Sequence, residues 1–149
     1  MNARLGIAAA AVLLFWAGIA YRVTEPPTAG DYRRTLVQVA ATTHDAASTT
    51  ALTARQQLDD RIFATFATSA YDDARTALAG AAEKLAAKPP PDDRTAGMRD
   101  RLVPLLQRTT AEAGAAATAD DDVARRTAAE RLDRVADDLD DLLHEWGEA

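Results

Sequence analysis

Apolar positions recur at helical spacing through most of this chain. Tyr32, Leu36, Val39, Thr43 and Ala46 step by four and three residues. Continued forward, the same stepping falls on Thr53, Gln57 and Asp60, where it fails. It resumes at Ala64, Ala67, Tyr71, Ala74, Leu78, Ala81 and Leu85. Ile62, Phe63 and Phe66 lie beside that seam and are expected to widen it. Leu132, Val135, Leu139, Leu142 and Trp146 form the best-patterned stretch, a one-sided stripe with steps of three and four.

Breaks in the pattern divide the chain. Glu25 to Gly30 holds paired prolines, which a helix interior does not accept, and Asp31 is placed to cap the helix that follows. Pro89, Pro90 and Pro91 are the next hard stop, with Asp92 and Asp93 as caps behind them. A third helix runs to about Ala117, interrupted by Pro104, and its regular part is expected to begin near Arg101. The last helix begins within Thr118 to Asp122 and continues to about Trp146.

Length decides how these segments pack. One helix over residues 31–88 would span about 87 Å, against about 38 Å for each later helix of some 25 residues. Half of its apolar face would then lie uncovered. Ser48 to Thr53 is rich in weak helix formers and is the expected place to fold back. The result is an all-α domain over residues 31–149, an antiparallel up-down bundle of four helices. A single long helix covered by dimerisation is the other arrangement.

Leu5 to Tyr21 is different in kind: 17 residues without a charge. Seventeen is the lower limit for crossing about 30 Å of hydrocarbon. Leu13, Leu14, Phe15, Trp16 and Tyr21 are the expected anchor residues, the two amphipathic rings suiting the lipid–water boundary. Residues 1–22 therefore read as a transmembrane signal anchor, followed by a proline-rich linker at 23–30. A cleaved signal peptide is the competing reading, since Gly18-Ile19-Ala20 offers small residues at a cleavage spacing. The short N-terminal tail favours a single-pass topology with the bundle outside the cytoplasm, although Arg22, Arg33 and Arg34 against Arg4 pull the other way.

Composition sharpens this. Apolar residues are 48% of 149, but alanine supplies 36 of the 71, against 15 Leu, 7 Val and 3 Ile. Such a chain favours helices and argues against all-β and α/β folds. Its core is expected to be thin. There is no cysteine, which excludes disulfides and thiolate chemistry. The Ala/Thr/Asp/Arg bias, with 15 Arg to 2 Lys, looks like that of high-GC bacterial proteins. The net charge of −6 is uneven. Residues 120–149 hold 11 acidic and 4 basic side chains, net −7, while the preceding 119 residues are net +1, so the acidity is that of the last helix and the turn before it.

Candidate chemistry is sparse. His44, Asp45 and Ser48 share one helix, a geometry that does not converge as a nucleophilic triad must. No phosphate loop, dinucleotide fingerprint or aromatic-interleaved basic patch is present, and nucleic acid is not an expected partner at this charge. Asp133, Asp137, Asp140, Asp141 and His144 fall at helical steps beside the last stripe. With Trp146 they are the candidate partner surface. The expected function is a non-enzymatic, membrane-tethered interaction module without a cofactor, an accessory subunit or scaffold at a bacterial cell envelope. It would touch lipid through residues 5–21 and bind a protein partner or a second copy. The alternative is a bundle that binds a small ligand or divalent metal through its acidic last helix.

Overall fold

The computed structural model describes residues 28–148. It contains four helices and, among the described residues, no strand: α1 (Ala29–Leu58), α2 (Ala64–Ala86), α3 (Asp93–Ala117) and α4 (Asp122–Glu148). The anchor residues Leu13, Leu14, Phe15, Trp16 and Tyr21, and the linker up to Pro27, lie outside the described residues. Among the described helices none is long and apolar enough to cross a membrane.

Three of the four helices start where a side chain can take up free amide groups; α2, which starts after Phe63, has no such cap. The Thr28 hydroxyl accepts from the Asp31 amide at 3.1 Å and donates to the Asp31 carboxylate at 2.7 Å. The cap of α1 is therefore Thr28, three residues before the expected Asp31, which sits in the first turn. The Asp92 carboxylate accepts from the Thr95 amide at 2.7 Å, and that of Asp121 from the Ala124 amide at 2.7 Å. Helix α3 runs unbroken from Asp93 through the exposed Pro104, so its regular part begins eight residues before Arg101.

The first turn of the bundle is not at Ser48–Thr53. Helix α1 continues through that stretch because Thr50 and Thr53 return their hydroxyls to the carbonyls of Ala46 and Thr49, at 2.7 and 2.8 Å. Both threonines are buried. The chain reverses at residues 59–63. There Asp60 adopts a φ of 54°, the left-handed conformation usually left to glycine. The Arg61 amide reaches the Gln56 carbonyl at 2.9 Å and the Asp60 amide reaches Gln57 at 3.2 Å, which together close a Schellman motif.

Short connections make sequential helices antiparallel neighbours. Helix α1 packs against all three others, while the backbones of α2 and α4 do not approach each other closely. The break at residues 59–63 rules out one helix over 31–88, and α1 is covered by the other helices of its own chain. Every position of the α4 stripe is buried, from Leu132, Val135 and Leu139 at 0% exposure to Leu142 and Trp146 at 4%. Tyr32, Leu36, Val39, Thr43 and Ala46 are buried as their stepping predicts, and so are the residues from Ala67 to Leu85 on the α2 seam. Thr53 is buried and Gln57 half-buried, its amide oxygen accepting from the Tyr71 hydroxyl at 2.6 Å. The seam continues there with polar residues whose hydrogen bonds are satisfied.

The two ends of the core are built differently. Where the chain enters, large side chains meet: Tyr32, Leu36, Leu85, Met98, Leu102, Leu142 and Trp146. At the opposite end the packing is almost all alanine, with Ala47, Ala51, Ala54, Ala67, Ala116, Ala128 and Ala129 around Tyr71 and Leu132. Helix crossings lined by alanine bring backbones close but remove little apolar area from water.

Three exposed carboxylates are held below the ordinary range. The Thr28 hydroxyl does this to Asp31, aided by Arg34; the Thr95 amide and hydroxyl do it to Asp92; the Arg101 guanidinium does it to Glu145. A carboxyl group whose folded pKa is depressed stabilises the fold above its ordinary value, near pH 4, and loses that contribution as pH falls toward the lowered one. The urea midpoint is therefore expected to drop between about pH 5 and about pH 3. Asp92→Asn keeps a capping side chain but cannot titrate, so its midpoint should fall less over that interval. An equal fall in both proteins would show that the cap does not contribute.

Candidate interaction surfaces

Helix α4 places its acidic residues on two flanks of its buried stripe. Asp138 and Glu145 face α3, where Arg108 pairs with Asp138 at 3.3 Å and Arg101 grips Glu145 through both nitrogens at 2.6 Å. Glu112 of α3 meets Arg131 at 3.5 Å. On the other flank Arg55 of α1 binds Asp133 through two contacts, at 2.5 and 2.9 Å. These pairs are half-exposed and screened by water, so each contributes little to stability. Their effect is to fix α4 against its neighbours at both ends.

Of the candidate partner surface, this leaves Asp137, Asp140, Asp141 and His144 exposed and free of ion pairs among the described residues. Asp133 is engaged by Arg55. Trp146 is placed in the core at 4% exposure, not on the acidic face. Its backbone carbonyl accepts from Arg33, which closes the end of α4 onto α1. The stripe explains the difference: Trp146 lies four residues after Leu142, in line with the buried positions. Among the described residues no three His, Asp or Glu side chains are grouped so as to hold a metal ion. His44 is half-buried and makes a loose 3.4 Å contact with Asp45. In the first turn of α4, Arg125 bridges Asp122 at 3.3 Å and the Ala119 carbonyl at 2.9 Å.

A second surface was not evident from residue spacing. Helices α1 and α2 diverge on their outer side around a groove of about 470 Å³. Its floor is made of small side chains, among them Ala46, Ala70, Ala74 and Ala77, with Thr42, Thr49 and Ser69 along the sides. Asp45 on α1 and Asp73 on α2 are its only charged residues, one on each bank. Phe66 closes the end toward the 59–63 turn and is 61% exposed. Phe63, one turn earlier, is 86% exposed, and Leu52, one turn beyond Thr49, is 51% exposed.

The phenylalanines were expected to widen the buried seam. The structure overturns this, and the position of the turn is the reason. With Phe63 as the first boundary residue of α2, Ala67, Tyr71 and Ala74 take the inward positions. Phe63 and Phe66 are left on the outside. Ile62 packs against the alanine-lined core as expected; the readable signal was two phenylalanines beside a seam whose inward positions were already filled.

No protein-family model, curated protein or solved structure matches this chain.

Proposed function

We propose that this chain is a non-enzymatic interaction module, a helical bundle tethered to a membrane through residues 5–21 and held outside the cytoplasm. In that role it serves a bacterial cell envelope as an accessory subunit or scaffold. The observation that carries the reading is the exposed apolar edge of the α1–α2 groove. Phe66 lines the groove and is largely exposed, and Phe63 and Leu52, one turn away in sequence from lining residues, are exposed too, in a protein whose own core is short of large side chains. Tyr32, Tyr71 and Trp146 are buried, yet both described phenylalanines are left outside, and an exposed apolar pair of this kind has a use there. The uncharged segment from Leu5 to Tyr21 supports the tether.

Native membranes extracted in mild detergent test this reading. The protein is expected in the membrane fraction, and in a complex larger than one chain plus its micelle. A monodisperse monomer with no associated protein would retire the proposal.

A further inference from the structure

Resting on the reading above, we infer that the α1–α2 groove receives a basic amphipathic helix from a partner protein. Such a helix has an apolar ridge that lies on the alanine floor and meets Phe66, with Lys or Arg on each side of the ridge.

The shape comes first. Thr42 to Thr49 on α1 covers about two helical turns and Phe66 to Ala77 on α2 about three, or about 10 and 16 Å. The space between them is open along its length and floored by Ala46, Ala70, Ala74 and Ala77. A floor of methyl groups lets a third helix approach the pair closely and seat its side chains between theirs. An extended strand would find no unpaired backbone here, because both walls are helices with their amide groups internally bonded.

Charge then selects the occupant. Asp45 and Asp73 stand on opposite banks, and no Lys or Arg lines the groove. Neither aspartate has an ion pair with Lys or Arg among the described residues, although the bundle pairs arginines with Asp133, Asp138 and Glu145 elsewhere. A second copy of this bundle docking by the same face would bring four aspartates together around an apolar contact, which like-charge repulsion opposes. A helix with a cation on each side of its ridge satisfies both banks at once. The exposed ring of Phe66 adds apolar area at the end nearer the turn.

The test uses the full chain in phosphatidylcholine nanodiscs, whose neutral headgroups do not attract a basic probe. The probes are two fluorescein-labelled amphipathic peptides of about 15 residues with the same leucine ridge, one flanked by Lys and one by Glu. Fluorescence anisotropy is expected to show saturable binding of the Lys peptide and binding about tenfold weaker for the Glu peptide. Asp45→Lys with Asp73→Lys should invert that preference. Phe66→Ala should weaken both peptides while leaving the circular dichroism of the bundle unchanged. Asp137→Lys with Asp140→Lys, on α4, should change nothing.

Equal binding of the two peptides, no binding, or sensitivity to the α4 pair instead of the groove pair would each overturn the inference. So would a concentration-dependent dimer that Phe66→Ala dissolves, since it would place a second copy on this face. If the native complex survives while the Lys peptide fails to bind, the interaction reading stands and only this occupant is wrong.

Discussion

Leu139→Ala is expected to cost about 3 kcal/mol of folding stability and to lower the melting temperature by about 10 °C. Leu139 is fully buried in the large-side-chain half of the core, in the cluster that holds Leu36, Leu78 and Leu102. Truncation removes buried methyl groups and leaves a cavity that the surrounding packed helices close only in part. The loss is a large share of the total, because a domain of this size is stable by only about 5–15 kcal/mol. Leu139→Met, which keeps the volume, should cost less than about 1.5 kcal/mol. Urea denaturation of both variants measures the difference. A loss under about 1 kcal/mol for the alanine variant would mean that this half of the bundle repacks freely.

Ala51→Leu is expected to be almost as damaging, for the opposite reason. Ala51 is fully buried at the other end, in the cluster that contains Ala47, Ala54, Ala67, Ala116, Ala128 and Ala129. Each is already the smallest side chain that a helix accepts without the penalty of glycine, so none can shrink to make room. Three added carbons must push helices apart or force a strained rotamer, at a cost of about 1–3 kcal/mol and sometimes more. Separation would also pull Arg55 from Asp133, one turn further along the same crossing. Ala82→Leu, at an exposed position of α2, should stay within about 0.5 kcal/mol of the parent. The same denaturation series measures both. A gain in stability for Ala51→Leu would show unfilled space at this crossing and overturn the account of a tight alanine seam.

The sequence carried the fold wherever large side chains or prolines wrote it. Leu132 to Trp146 is legible because one stripe of big residues stands against a face of aspartates, and both features agree. Pro89 to Pro91 allow no helix. The first turn was misread because two signals misled together. Ser48 to Thr53 is poor in helix formers, yet its threonines satisfy their hydroxyls inside the helix and stay buried. The real terminus uses Asp60 at the left-handed position where a glycine would have announced it. That misplacement carried a second one with it. Moving the turn by ten residues moves Phe63 and Phe66 from the seam to the surface, and so hid the groove. Asp137, Asp140, Asp141 and His144 were legible as an exposed face. Trp146 was not part of it, because its place in the stripe outweighs the habit of tryptophan at interfaces.

The alanine-built end has a consequence for motion. Opening a helix end releases backbone entropy against whatever apolar burial holds it, and here that burial is small. The second half of α1, the start of α2 and the start of α4 therefore form the softer part of the bundle, breathing more often than the leucine-packed half beside the chain entry. The groove straddles the boundary between the two. An occupant bridging from the stiff half to the soft one would brace the loose end, so that its arrival is felt as quieting in α4, a helix it never touches.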